Sequence, residues 1–167
     1  MNQVVTVTAK QFFDKPSVQQ KLQELMGKNA SAFATSVLQI VNSNDLLRNA
    51  DPQTVFSAAC MAATLNLPIN NTLGFAYIVP FKNKKAGKVE AQFQLGYKGF
   101  IQLAQRSGQF ERLVALPVYA EQLVSKDPIN GFVFDWSKEP TSNEKPAGYY
   151  AYFKLINGFT AELYMTK

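Results

Sequence analysis

In GFAYIVPFKNKKAGKVEAQFQLGYKGFIQLAQRSGQ, residues 74–109, the hydrophobic period changes twice, and the architecture is read outward from those two changes. The segment ending at Phe81 is dense in aromatic and branched residues. After the polar KNKKAGK, Val89, Ala91, Phe93 and Leu95 fall at every second position. A period of two marks a half-buried strand, so these two runs predict a β-hairpin whose tip carries Lys82, Lys84, Lys85 and Lys88. From Tyr97 the period lengthens. Tyr97, Phe100, Ile101 and Ala104 recur at helical spacing, while Lys98, Gln102, Gln105, Arg106 and Gln109 share another face, and Gly108 marks the end. The expectation is a helix that lays its apolar stripe on the core and turns cations and amides outward. Solvated helix faces usually mix signs to gain i,i+4 pairs. A face with no carboxylate calls for a negative partner.

Upstream of this stretch the chain reads as helices. Asp14-Lys15-Pro16 leads into SVQQKLQELM, with Gly27 as the stop, and SAFATSVLQIV sets Phe33, Val37, Ile40 and Val41 on one face. Asp51 is placed as an N-cap with Pro52 in the first helical position, and Val55, Phe56, Ala59 and Ala63 of that helix point inward. Downstream, ERLVALPVYAEQLV predicts a strand that Pro117 confines to an edge or a bulge. INGFVFDWSKE alternates Phe132, Phe134 and Trp136, and SKEPTSNEKP is a loop. In YYAYFKLINGFTAELYM, Asn157-Gly158 is a hairpin signal. A two-residue turn there pairs Ile156 with Phe159, Lys154 with Ala161, Tyr152 with Leu163 and Tyr150 with Met165, which gathers most large apolar residues on one face. The fold expected is α+β, an antiparallel sheet with hairpins packed against helices, in a single domain over residues 1–167. Only nine residues follow the last turn, so a further C-terminal part is expected in the natural protein.

The totals suit a globular chain: 167 residues, 47% hydrophobic and 17% charged, enough for a core without staples. No apolar run approaches the roughly 18 residues of a membrane span, and MNQVVTVTAKQFF lacks the pattern of a secretory leader. The chain is therefore expected in the cytoplasm of a bacterial host cell once the family resemblance below is taken into account. The lone Cys60, among alanines and methionine, reads as core filler and excludes a disulfide framework. The net charge of +5 is local. Residues 1–81 hold five Lys/Arg and four Asp/Glu, residues 107–167 hold six and seven, and residues 82–106 hold six cations against Glu90 alone. That is the footprint of a phosphate backbone, an acidic lipid surface or an acidic protein.

Several chemistries lack their residues. With no histidine, the commonest general base, the usual zinc ligand and the usual partner of a nucleophilic serine or cysteine are all missing. No G-x-x-x-x-G-K-[ST] loop occurs, and the acids are scattered, which leaves pairs such as Asp135 and Glu162 to chance. A metal-dependent nuclease and a basic lipid- or protein-binding scaffold stay as alternatives. Against them, Tyr77, Phe81 and Tyr97 lie beside the lysines, and rings next to cations suit single-stranded nucleic acid, where stacking is worth about 1–3 kcal/mol per base. Gly96 and Gly99 are explained either as a strand-to-helix turn or as room for a phosphate at a helix N-terminus.

LNLPINNTLGFAYIVPF, then a lysine-bearing turn, then FQLGYKGFIQLAQRSGQ resembles the RecT family of phage single-strand DNA annealing proteins, with similarity from about Leu22 to the end of the chain. The resemblance implies a fold with a β-sheet backed by a long helix. It also implies pairing of complementary strands without ATP, with no cofactor required and Mg²⁺ entering at most as a modulator. The partners it implies are single-stranded DNA and the annealed duplex intermediate, a homo-oligomeric ring or helical filament, a partner exonuclease, and a host single-strand binding protein met through a C-terminal helical region. The site it implies is a basic groove that holds one strand by its backbone, formed by Lys82, Lys84, Lys85, Lys88, Tyr77, Tyr97, Lys98, Gln102, Arg106, Gln109 and Arg112.

Overall fold

The computed structural model describes residues 7–127 and 129–167, which form two compact units, one ending at Leu103 and the other spanning Ala104–Lys167. Among the described residues of the first unit, five α-helices precede the sheet: α1 (Ala9–Phe13), α2 (Pro16–Met26), α3 (Ala30–Asn42), α4 (Asp45–Arg48) and α5 (Pro52–Thr64). Their ends follow local chemistry. Thr8 and Gln11 form a reciprocal capping box before α1, and α2 stops at Gly27, whose φ of +53° suits glycine. The Asp51 carboxylate accepts the Gln53 N–H at 3.0 Å with Pro52 in the first turn of α5, as expected. Phe13, Leu22, Val37, Val41, Leu47 and Val55 are fully buried and make the centre of the core.

The hairpin is β1 (Ala76–Asn83) with β2 (Lys88–Leu95), antiparallel, with Ala76 opposite Leu95 and Asn83 opposite Lys88. Ala76, Ile78 and Ala91 are buried, so this face of the ribbon lies on the helices. α5 packs against β2, and its buried Ala58, Ala59, Ala62 and Ala63 are small enough to let neighbouring elements approach closely. The join is also hydrogen-bonded: Asp51 N–H donates to the Val89 carbonyl at 2.9 Å, and Ala91 N–H donates to Thr54 Oγ1 at 2.8 Å. β2 leads straight into α6 (Tyr97–Ser107).

The second unit contains β3 (Phe110–Val118), β4 (Leu123–Asp127), β5 (Gly131–Phe134), β6 (Gly148–Leu155) and β7 (Thr160–Thr166). Its three-stranded sheet has the order β3-β6-β7, and β4 pairs with β5 as a separate ribbon. Pro117 sits in β3, an edge strand, as its missing N–H requires, while the irregularity in β3 falls between Phe110 and Arg112. The last hairpin corrects the expected register by one residue. Leu155 N–H donates to the Phe159 carbonyl at 2.8 Å and Gly158 N–H to the Leu155 carbonyl at 3.0 Å, so the loop has three residues and closes with Gly158 at φ +89°. Tyr150 therefore faces Tyr164, Tyr152 faces Glu162 and Ala151 faces Leu163. The shift distributes the apolar residues over both faces. Phe132 and Phe134 pack on Tyr150 and Tyr164 on one side, with Trp136 stacked on Phe134 at 4.7 Å between ring centres. The observed class is α+β with antiparallel sheets, as the sequence reading held.

Candidate nucleic-acid interface

The basic hairpin turns over four residues. Asn83 Oδ1 accepts the Ala86 N–H at 3.0 Å and Gly87 takes φ +64°, which leaves Lys84 and Lys85 exposed in the turn with Lys82 exposed at the end of β1. Lys88 differs from the other three. Its Nζ lies 2.9 Å from Asp51 Oδ2 and 3.7 Å from Glu90 Oε1, so it bridges the hairpin to the cap of α5. The hydrogen bond from Lys88 holds the Asp51 carboxyl below its ordinary range, and Asp51 in turn raises the Lys88 ammonium. Glu90 also accepts from Asn83 Nδ2 at 3.1 Å. Lys82, Lys84 and Lys85 thus present charge with no partner acid among the described residues, and Lys88 neutralises the acids around it.

Gly96 and Gly99 receive a structural account. Gly96 N–H donates to the Phe75 carbonyl at 2.9 Å, and a Cβ on Gly96 or Gly99 would run into the carbonyl oxygens of Gly74 and Phe75 respectively. The glycines admit the backbone of residues 74–75 against the start of α6. On Gly74 itself the Tyr77 hydroxyl and the Lys98 stem converge, 3.2 and 3.5 Å from where a Cβ would stand. Lys98 is exposed and Tyr77 half-buried, so the two form one patch at the root of the hairpin.

α6 is turned over relative to expectation. Gly99 is buried and Leu103 packs on the core, whereas Tyr97 is 68% exposed, Phe100 62% and Ile101 39%. Gln102, expected outward, is half-buried with its Oε1 buried and unbonded. The reason is steric: the close approach of the 74–75 backbone demands the glycine side of the helix, and that side also carries Leu103 and Gln102. Lys98 and Gln105 remain exposed. In the second unit Arg106, Gln109 and Arg112 are exposed, and the neighbouring Glu111 is engaged by Lys154 at 2.8 Å.

On the outer face of the hairpin, sequence reasoning singled out Tyr77 and Phe81 but passed over Val79, Gln92 and Gln94 beside them. Opposite pairs there are Tyr77 with Gln94, Val79 with Gln92 and Phe81 with Glu90. The signal was available, since the alternation that sends Val89, Ala91, Phe93 and Leu95 inward sends Gln92 and Gln94 outward. Most acids of the second unit are occupied by local donors. Glu162 accepts from the Tyr150 hydroxyl at 2.6 Å and the Phe132 N–H at 3.1 Å, and Asp135 accepts from Ser137. Burial and then Glu162 push the Tyr150 hydroxyl up, while Ser137 lowers Asp135. Among the described residues no three of His, Cys, Asp and Glu gather at one point, and no helix is long and apolar enough to cross a membrane.

The RecT family model matches residues 31–167. The uncharacterized protein YqaK of Bacillus subtilis (strain 168) is 42% identical over 161 residues, which cover 96% of this chain and 54% of that protein. Protein RecT of Escherichia coli (strain K12) is 35% identical over 111 residues, 62% of this chain and 40% of that protein. The chain thus spans about half the length, or less, of these two relatives.

Proposed function

The chain belongs to the RecT family of DNA-annealing recombination proteins, and from that premise we propose that it binds single-stranded DNA and anneals complementary strands without ATP in phage homologous recombination. The observation that carries this reading is the concentration of the whole positive excess in residues 82–106, with Lys82, Lys84, Lys85 and Lys98 exposed on the first unit. They hold the strand by its phosphates, with Tyr77 and Tyr97 beside them. Arg106, Gln109 and Arg112 of the second unit are further backbone contacts, whereas Lys88 and Gln102 act mainly within the fold. Homology is tested by base pairing, and the protein chooses no sequence, since backbone contacts carry no base information.

One short basic stretch covers few phosphates, so copies of the chain assemble as a ring or filament and extend the groove. No cofactor is required, and Mg²⁺ acts only as a modulator of annealing. A partner exonuclease supplies the single strand, and host single-strand binding protein is a further partner. The protein makes and breaks no covalent bond.

The test adds one labelled oligonucleotide, then its complement, without ATP, and compares retention with that of the pre-annealed duplex. Tight retention of the sequentially added strands with weak duplex binding is the expected result. Equal affinity for all forms reduces the site to a general basic surface, and degradation of end-labelled DNA in Mg²⁺ would turn the reading to a nuclease.

A further inference from the structure

β1 departs from the pattern of an ordinary surface strand. A hairpin with one face on a core usually alternates apolar residues inward with polar residues outward. In Ala76–Phe81 both faces are apolar: Ala76 and Ile78 are buried inward, yet Tyr77, Val79 and Phe81 line the outer face, with Phe81 48% exposed. Beside them on β2 stand Gln92 and Gln94, both exposed, and Glu90, whose charge is engaged by Lys88 and Asn83. The strip is therefore apolar and amide-bearing with its one acid neutralised. Cations stand at both ends, Lys82, Lys84 and Lys85 at the tip and Lys98 beside Tyr77 at the root.

We infer that this outer face, Tyr77, Val79 and Phe81 with Gln92 and Gln94, is a nucleobase-contact surface, separate in role from the lysines that hold phosphates. The inference rests on the single-strand reading proposed above and adds to it the part of the strand that is touched. Charge selects the occupant. A purely apolar partner would leave the flanking lysines unused, and a polyanion without flat apolar groups would leave Phe81 and Val79 unused. A single strand supplies both, since every base has a π-face and amides can bond base edges or phosphate without fixing a sequence. From Tyr77 to Phe81 is about 14 Å at about 3.4 Å per residue, the length of about four stacked nucleotides. Bases lying on this face are kept from folding back on their own strand. Pairing with the complement then lifts them off.

The test compares an oligothymidylate with an abasic oligonucleotide of the same length and phosphate count. The unaltered chain is expected to bind the thymidylate more tightly. Phe81→Ala is expected to weaken thymidylate binding at least about fivefold, the low end of one base–ring stack, and to leave abasic binding and the salt slope unchanged. Phe81→Tyr restores binding, and Phe81→Leu does not. Lys84→Ala with Lys85→Ala, in contrast, lowers both affinities alike and flattens the salt dependence. Equal wild-type affinity for the two oligonucleotides, or a Phe81→Ala loss of the same size on both, overturns the inference while leaving the single-strand reading standing. Failure of the unaltered chain to bind either oligonucleotide overturns that reading itself. Phe81 is half exposed, so its variants are expected to fold, and circular dichroism checks that they do.

Discussion

At the scale of single residues, Lys88 shows how a charge count and a charge's function separate. It lies in the lysine-rich tip by sequence, yet its ammonium spans Asp51 and Glu90 and ties β2 to the start of α5. Sequence could place Asp51 as a helix cap, because Asp-Pro before an alanine-rich run is local information. It could not show that the same carboxylate meets a lysine 37 positions later, since that contact depends on how α5 lies on the hairpin. Asp51→Asn keeps the cap, because Asn caps about as well as Asp, and removes the ion pair. The Asp51 carboxyl is lowered in the folded chain, so its contribution is fully present above the ordinary value of 3.8 and fades as pH falls through the lowered one. The Lys88 ammonium is raised, so its share is present below 10.5 and fades as pH climbs through the raised value. Between those limits Asp51→Asn is expected to melt no more than about 4 °C below wild type at low salt, the ceiling for an exposed pair in a chain of this size. The gap closes in strong acid and narrows in concentrated salt. A set of thermal melts across pH and salt checks this, and a gap that persists in acid would mean the loss comes from the cap.

At the scale of elements, α6 was legible in extent and period but not in direction. The 3.6-residue pattern from Tyr97 to Arg106 is strong, and hydropathy alone points Tyr97, Phe100 and Ile101 inward. What turns the helix is Gly99, a residue that carries no hydropathy signal, pressed against the Phe75 carbonyl. A missing side chain thus outweighs three large ones, because backbone-to-backbone contact is available only on the glycine side. The final hairpin fails for a related reason. Asn157-Gly158 marks the turn correctly, but whether two or three residues form the loop decides the register, and that choice lies in the backbone of Ile156 and Gly158. The hairpin of β1 and β2, the order of elements and the edge position of Pro117 were readable, since each depends on neighbours in sequence. Gly99→Ala puts this account to work. Alanine favours a helix by about 1 kcal/mol over glycine, so an exposed helical glycine would gain stability from the change. Here the added methyl meets the Phe75 carbonyl and Leu95 Cδ1, and a net loss of about 1–3 kcal/mol in urea denaturation is expected. A gain in stability would mean that α6 does not lie against residues 74–75.

At the scale of the whole molecule, charge and apolar surface are distributed differently over the two units. The first unit carries the lysine-bearing hairpin and Lys98, and its core encloses most of its large aliphatic side chains. The second unit has a sheet with one face occupied by the rings of Phe132 and Phe134 and the other open. On that open face Leu113 is 45% exposed, Tyr149 49%, Leu163 54% and Met165 57%, and the register sets Ala115 opposite Ala151 between them. No charged residue stands at any of these positions, so the face presents a continuous apolar surface of the kind that marks a contact or an aggregation liability. Fold class alone would not reveal it, because the one-residue register shift decides which side chains share the face. The double substitution Leu163→Lys with Met165→Lys tests its state. Since both side chains are already more than half exposed, stability is expected to stay within about 0.5 kcal/mol of wild type. Concentration-dependent light scattering in the absence of DNA is expected to fall, because two like charges now repel across the surface that would otherwise join. A large loss of stability, with scattering unchanged, would mean that the folded protein already covers this face and that its self-association runs through another surface.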